Sequence, residues 1–260
     1  MIFPQIYDIL DFKEMKIMNE KEFEIMEIIN GAYTSAKIYT TKNTATAVDQ
    51  YARSQLQMIC DQESSCGCQI RVMPDVHPGK VGTIGLTMTI GKKIIPNLIG
   101  IDIGCGMTLA RIKGKKIECQ KLDSIIRESV PSGFTIRTKA HRFADEFDFH
   151  TLKCSEHIIL DELVKGMKWK VLDSCECIHN YVDNSDDIIH AFGAPILRKG
   201  AISAKSREKV IIPINMRDGI IPGTGLGNID WNRSAPHGSG RIMKRENVKN
   251  RLRLFFMSFV

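Results

Sequence analysis

No run of about 20 apolar residues, the length a membrane-spanning helix needs, occurs in the 260-residue sequence. The N-terminus, MIFPQIYDILDFKEMK, also lacks the basic start and apolar core of a secretory signal and carries acids in their place, so a cytoplasmic location is expected. No C-x-x-C pair is present. Cys66 and Cys68, like Cys175 and Cys177, are spaced C-x-C, which argues against a structural zinc site and for intracellular thiols. A phosphate-loop signature is missing as well: PGTGLGN has no Lys-Ser/Thr ending, and it does not fit the dinucleotide fingerprint. There is no internal repeat and no clear linker, so one domain over residues 1–260 is expected. What is present is ordinary for a globular chain, with 43% apolar and 25% charged residues, and disorder is not the expectation. A net charge of +6 admits an anionic partner such as RNA without demonstrating one.

Residues 19–30 have a helix-like spacing of Phe23, Met26 and Ile29. Residues 43–61 predict a better helix, with Thr44 as cap and Val48, Ala52, Leu56 and Ile59 on one face. From 70 to 112 the runs IRVM, TIGLTMTI, KIIPNLIGIDI and TLARI are broken by Gly, Pro and Asp, which predicts short strands and tight loops. Helical spacing returns at 119–129 and 155–171. The segment 187–221 is strand-like again, in IIHAF, APIL and KVIIPI, and 222–240 is a Gly-rich irregular loop before a basic tail. Helices and strands do not alternate regularly, so the fold class is α+β, with mixed short-stranded sheets and surrounding helices.

Three segments concentrate residues that carry chemistry. In MPDVHPGKVGTIG, Asp75 and His77 are two apart and would share a face of a strand, with glycines that admit close backbone approach. In GIDIGCGM, Asp102 and Cys105 combine oxygen and sulfur donors at a Gly-rich strand end, a set suited to a divalent transition metal. In INMRDGIIPGTGLGNIDWNRSAPHGSGRIMKR, His237 stands among small residues that expose its imidazole and offer backbone N–H groups to a phosphate. A neutral histidine there could attack phosphorus. Each segment also admits a plain structural reading: a turn held by Asp75, a buried cysteine beside an Asp turn, a loop histidine. A smaller signal is His179-Asn180 in CECIHNYVDN, an imidazole ligand next to an amide.

Together, and in this order along the chain, these segments resemble the RtcB family of RNA ligases. MPDVHPGKVGTIG is similar to its MPDVH-x-GKG signature, with Val81 in place of the second signature glycine, and GIDIGCGM is similar to its VGVDIGCGM segment. CIHNYVDN resembles its HNY segment, and NMRDGIIPGTGLGNIDWNRSAPHGSGR its nucleotide loop. The resemblance implies an RtcB-like fold and a ligase that joins an RNA 3′-phosphate or 2′,3′-cyclic phosphate end to a 5′-hydroxyl end, with GTP and manganese as cofactors. It implies that Asp102, Cys105 and His179 bind manganese and that His237 takes GMP from GTP. Asn180, Pro213, Ile214, Asn215, Met216, Gly238, Ser239 and Gly240 would line the guanylate site. Candidate phosphate or RNA contacts are Asp75, His77, Lys80, Arg198, Lys199, Arg217 and Arg241.

The family's GNHF and HSGSR-like segments, which supply two further histidine ligands and an asparagine contact to the nucleotide, have no counterpart here. The resemblance therefore implies an internal deletion after LKCSEHI, and a chain that stops soon after Arg241, short of the family's nucleotide-contacting lysine. Ile220 stands where the family usually has a serine that contacts the nucleotide. The alternative is accordingly a catalytically impaired remnant that acts as an RNA- or metal-binding module.

Overall fold

Ile25, Ile28 and Ile29 are β-branched, and the segment whose spacing suggests a helix is a strand in the computed structural model, β1 (Ile25–Asn30). Residues 25–40, 48–114, 117–130, 155–215 and 218–240 are described by the structure; Phe23 and Thr44 lie outside them. β1 turns at Gly31–Thr34 and pairs antiparallel with β2 (Ser35–Thr40), so cross-strand pairing overrides the local three-residue spacing. Helix α1 (Gln50–Cys60) starts later than the sequence suggests and is capped by Asp49, whose carboxylate accepts from Tyr51 N–H at 2.7 Å. Its face of Val48, Ala52, Leu56 and Ile59 is buried, as the spacing requires.

α1 connects β2 to its parallel neighbour β3 (Ile70–Pro78), which pairs antiparallel with β4 (Thr83–Thr89). The run KIIPNLIGIDI, expected as a strand, is irregular apart from a 3-10 turn at Pro96–Leu98. Pro96 has no N–H to give to a ladder, and Gly100 is in the left-handed half of backbone space at φ 126°.

The described chain divides into two compact units, residues 1–103 with 179–260 and residues 104–178. The second contains β5 (Gly106–Lys113), α2 (Cys119–Ser129), α3 (Ser155–Met167) and β6 (Lys170–Ile178). β5 and β6 pair antiparallel, and α3 approaches α2 where Gly166 leaves room for Ile125.

The first unit resumes with β7 (Asn180–Asp183) and α4 (Asp186–Phe192). IIHAF is thus helical rather than strand-like. Asp186 and Asp187 occupy its first turn, and Gly193 ends it at φ 66°. β8 (Ile196–Lys199), β9 (Ala201–Ser203), β10 (Lys209–Asn215), β11 (Gly219–Thr224) and β12 (Ser234–Pro236) follow. A six-stranded sheet in the order β1-β2-β3-β4-β8-β7 is the frame, with β10-β11 and β12-β9 as small antiparallel pairs. The α+β class holds. No described helix is long and apolar enough to cross a membrane.

The strands sort their side chains by alternation. Ile38, Ile70, Val72, Leu86, Met88 and Leu197 join the α1 face in one apolar core. The residues between them, Tyr39, Arg71, Met73, Thr87 and Arg198, point the other way and are buried too. That second, mixed polar face receives the segment leading to His237.

Candidate active site

The site begins at a fault in the β3–β4 ladder. Val72 pairs with Leu86 and His77 with Ile84, so four residues of β3 stand opposite one residue of β4, Gly85. The excess bulges, and Asp75 is on the bulge. Gly85 has φ 86°, and a Cβ there would lie 3.1 Å from Asp75 Oδ1, so only glycine leaves the carboxylate its place. His77 turns its Nδ1 to the Asp75 carbonyl oxygen at 2.7 Å.

His237 is delivered by a segment bound down at several points. Tyr39 stacks on Trp231 and donates its hydroxyl to Asp230 O at 2.6 Å, while Arg71 Nε donates to the same oxygen at 2.8 Å. Asn232, fully buried and left-handed at φ 53°, exchanges side-chain hydrogen bonds with Gln69 and donates to Thr87 Oγ1. Ser234–Pro236 then pairs with β9, and His237 follows.

There, His237 Nδ1 lies 2.7 Å from Asp75 Oδ2, and the Asp75 side chain is 2% exposed. The atoms are within ion-pair distance but not in hydrogen-bond alignment, and neither Asp75 carboxylate oxygen nor His237 Nδ1 has a hydrogen-bond partner among the described residues. A buried carboxylate without donors is costly, and the imidazole is the group the structure sets against it. Asp75, expected as a phosphate contact, thus lies beside His237. A phosphate would be repelled by it.

The His237 ring centroid is 4.9 Å from that of His179 and 6.4 Å from that of His77. Burial pushes the His179 pKa down to about 4, the neighbouring His237 adds to this, and the Asp102 carboxylate pulls the other way. His179 is thus neutral near pH 7, with a lone pair available. Next to it, Asn180 donates to Asp102 O at 3.0 Å and accepts from Gly200 N–H at 2.9 Å, so its amide, expected at the guanylate, is engaged with backbone. Gly200 was not legible from sequence. It has φ 60°, and a Cβ there would lie 2.3 Å from Ile84 Cγ2 and 3.2 Å from His237 Cε1.

The loop after His237 folds onto β10. Ser239 Oγ donates to Ile214 O at 2.9 Å, and a Cβ on Gly238 would lie 3.6 Å from Pro213 O. Gly240 packs on the Asp75 backbone. Asn215 bonds to Asp218 across the β10–β11 turn at 2.7 Å. Pro213, Ile214, Gly238, Ser239 and Gly240 are thereby brought together around the Asp75–His237 pair.

Of the cationic candidates, Lys199 is buried and has no ion pair among the described residues, and burial pushes its pKa down. Lys80 is exposed. Arg198 is fully buried with its donors turned to Ser234, Asp183, Tyr181 and the carbonyls of Asn232 and Arg233. Arg198, expected as a phosphate contact, is thus placed in the frame with its donors engaged among the described residues. Met216, Arg217 and Arg241 lie outside the described residues.

For a divalent metal, neutral His179 and the Asp102 carboxylate are suitable donors. Cys105 belongs to the second unit. Among the described residues no three His, Cys, Asp or Glu side chains converge as a metal-binding group, so these donors do not by themselves complete a metal centre.

The sequence model of the tRNA-splicing ligase RtcB family matches residues 56–173 and 150–255, well over half of the chain. The RNA-splicing ligase RtcB1 of one Escherichia coli strain is 36% identical over 93 residues, covering 35% of this chain and 22% of that protein. The RNA-splicing ligase RtcB of Escherichia coli K12 is 55% identical over 42 residues, covering 16% of this chain and 10% of that protein. The aligned regions thus span less than a quarter of either relative.

Proposed function

The chain belongs to the RtcB family, and from that premise we propose that it is an RNA ligase in which His237 carries GMP. The substrates are an RNA 3′-phosphate or 2′,3′-cyclic phosphate end and an RNA 5′-hydroxyl end, GTP is the GMP donor, and the setting is the cytoplasm. One observation carries the reading: His237 Nδ1 is held 2.7 Å from the buried Asp75 carboxylate, among glycines.

Asp75 keeps a proton on Nδ1, which leaves Nε2 with its lone pair. Nε2 attacks the α-phosphorus of GTP, an N–P bond forms, and pyrophosphate leaves with the electrons of the broken P–O bond. A cyclic end is first opened by water, which adds to phosphorus as the P–O2′ bond breaks and the 2′-oxygen takes a proton; the RNA 3′-phosphate oxygen then takes the GMP, and the N–P electrons return to the imidazole. In the last step the 5′-hydroxyl attacks the activated 3′-phosphate, loses its proton, and GMP departs. Backbone N–H groups of Gly238, Ser239 and Gly240 are the candidates to hold phosphate oxygens, and Lys80, Lys199, Arg217 and Arg241 are the candidate cations. Pro213 and Ile214 would face the guanylate.

Asp102 and His179 are the donors we assign to manganese, together with the Cys105 thiolate that the GIDIGCGM motif retains. Such an ion would neutralise phosphate charge. A second reading, an impaired relative that binds RNA or metal without ligating, is favoured by the missing counterparts of the family's GNHF and HSGSR-like segments. Incubation with GTP radiolabelled at the α-phosphate and with manganese decides between them. Acid-labile, alkali-stable label that is lost in His237→Ala supports the ligase, and an unlabelled protein supports the second reading.

A further inference from the structure

Arg198 is the largest of the fully buried side chains among the described residues. A buried guanidinium is tolerated only where a counter-charge and acceptors meet its donors. Asp183 supplies the charge, at 2.6 Å from Nη1. Three of the remaining contacts go to one short stretch: Nε donates to Ser234 Oγ at 3.0 Å, and Nη2 reaches Asn232 O and Arg233 O, each at 3.4 Å. That stretch is strained, because Asn232 at φ 53° and Arg233 at φ 47° are consecutive non-glycine residues in left-handed backbone. Ser234 Oγ in turn donates to Asn232 O at 2.9 Å, closing the turn on itself.

Two left-handed residues in a row redirect the chain sharply, and the direction they impose is continued by Ser234–Pro236 into His237. On the sheet side β8 contributes one of the anchors, Arg198, beside the bonds that Gln69 and Thr87 make to Asn232. Gly200, two residues after Arg198, is the position whose missing Cβ admits the His237 ring. Two of the contacts that place the imidazole therefore trace to the β8–β9 junction, one through Arg198 and the turn, the other through Gly200.

We propose that Arg198 is a positioning residue for His237: by holding the Asn232–Ser234 turn it sets the imidazole against Asp75. The inference rests on the reading of His237 as nucleophile for its consequence in catalysis, but its geometric content is independent of that reading. Arg198 meets the turn at Asn232 O, Arg233 O and Ser234 Oγ, immediately before the strand that carries His237 to Asp75.

The test uses the full chain labelled with 15N-histidine, in the parent, Arg198→Lys and Ser234→Ala. The His237 signals are identified by their absence in His237→Gln. Lysine keeps a charge opposite Asp183 but has no second arm for the two carbonyls, and Ser234→Ala removes the Nε acceptor while leaving the buried ion pair intact. In the parent, His237 is expected to hold its proton on Nδ1. In both variants the 15N shifts move toward the Nε2–H form that free imidazole prefers, while thermal melts show a folded protein. GMP labelling slows by about tenfold at an unchanged half-saturating GTP concentration, as misplacement of a reacting group predicts. Parent-like His237 shifts in the folded variants overturn the proposal; if Arg198→Lys does not fold, Ser234→Ala decides alone. A parent that shows the Nδ1–H form, loses it in the variants and yet never takes up GMP upholds the positioning role and sinks the ligase reading instead.

Discussion

Asp75 Oδ2 meets His237 Nδ1 at 2.7 Å, joining a bulge in β3 to the loop after β12. The carboxylate has no other donor, so the imidazole is its one means of compensation among the described residues. Asp75→Asn keeps the shape but can present an N–H where the ring needs an acceptor, which favours the wrong tautomer. GMP labelling should fall on the order of 10²–10⁴-fold, the range for loss of a positioned acid–base partner, with the thermal melt little changed. Labelling at the parental rate would detach Asp75 from the chemistry.

Gly200 gives a steric prediction. In Gly200→Ala the new Cβ would fall 2.3 Å from Ile84 Cγ2, at a φ of 60° that alanine disfavours. Loss of about 1–3 kcal/mol of stability is expected from overpacking, measured by urea denaturation. Because His237 Cε1 is the next neighbour at 3.2 Å, GMP labelling should fall further than the loss of folded protein explains.

Stability should depend on pH through His179. A histidine in the unfolded chain titrates near 6.5, as a rough reference, and in the fold His179 titrates at about 4. Between those values the unfolded state binds the extra proton. The contribution of neutral His179 is thus fully present above about pH 6.5 and declines as the pH falls toward 4, by on the order of 2 kcal/mol. Denaturation curves in the presence of a chelator check it: His179→Gln should lose less stability than the parent across that window. Equal losses would mean that the imidazole is not held neutral.

Metal binding separates the donors. Cys105→Ala and His179→Ala should each lower manganese content, measured by elemental analysis after desalting. The thiolate variant should also weaken the preference for manganese over magnesium, since sulfur favours the softer ion. Parental manganese content in both variants would remove these residues from the ligand set.

Core packing offers a control remote from the site. Leu56 is wholly buried between α1 and the sheet. Leu56→Ala should cost about 2–5 kcal/mol and lower the yield of folded protein. The labelling rate per folded molecule should be unchanged.

Much of the fold could be read without coordinates where one kind of local signal acted alone. The α1 face of Val48, Ala52, Leu56 and Ile59 is a helical stripe, and the spacing is enough to locate it. At Ile25–Asn30 the same spacing misleads, because hydrogen bonds to β2 outweigh a weak local preference. At Asp186–Phe192 a strand-like apolar run is helical, and the signal lies in its flanks: two aspartates at the start and a glycine at the end.

The sequence by itself determined the chemical inventory and its order. It sets a histidine among glycines, an Asp-Cys pair, an HN pair, and strands whose alternation gives one apolar and one mixed face. These depend on side-chain identity and short spacing, which folding does not alter. Only the tertiary structure decided who meets whom. Asp75 passes from a phosphate contact to the partner of His237 because the β3 bulge opposite Gly85 turns its carboxylate inward. Arg198, a candidate phosphate contact by sequence, is buried because β8 lies inside the sheet and the left-handed turn at Asn232–Arg233 arrives on it. A hydrogen-bonding group takes whichever partner sheet register and backbone direction bring to it, and both are set by pairing between segments far apart in the chain.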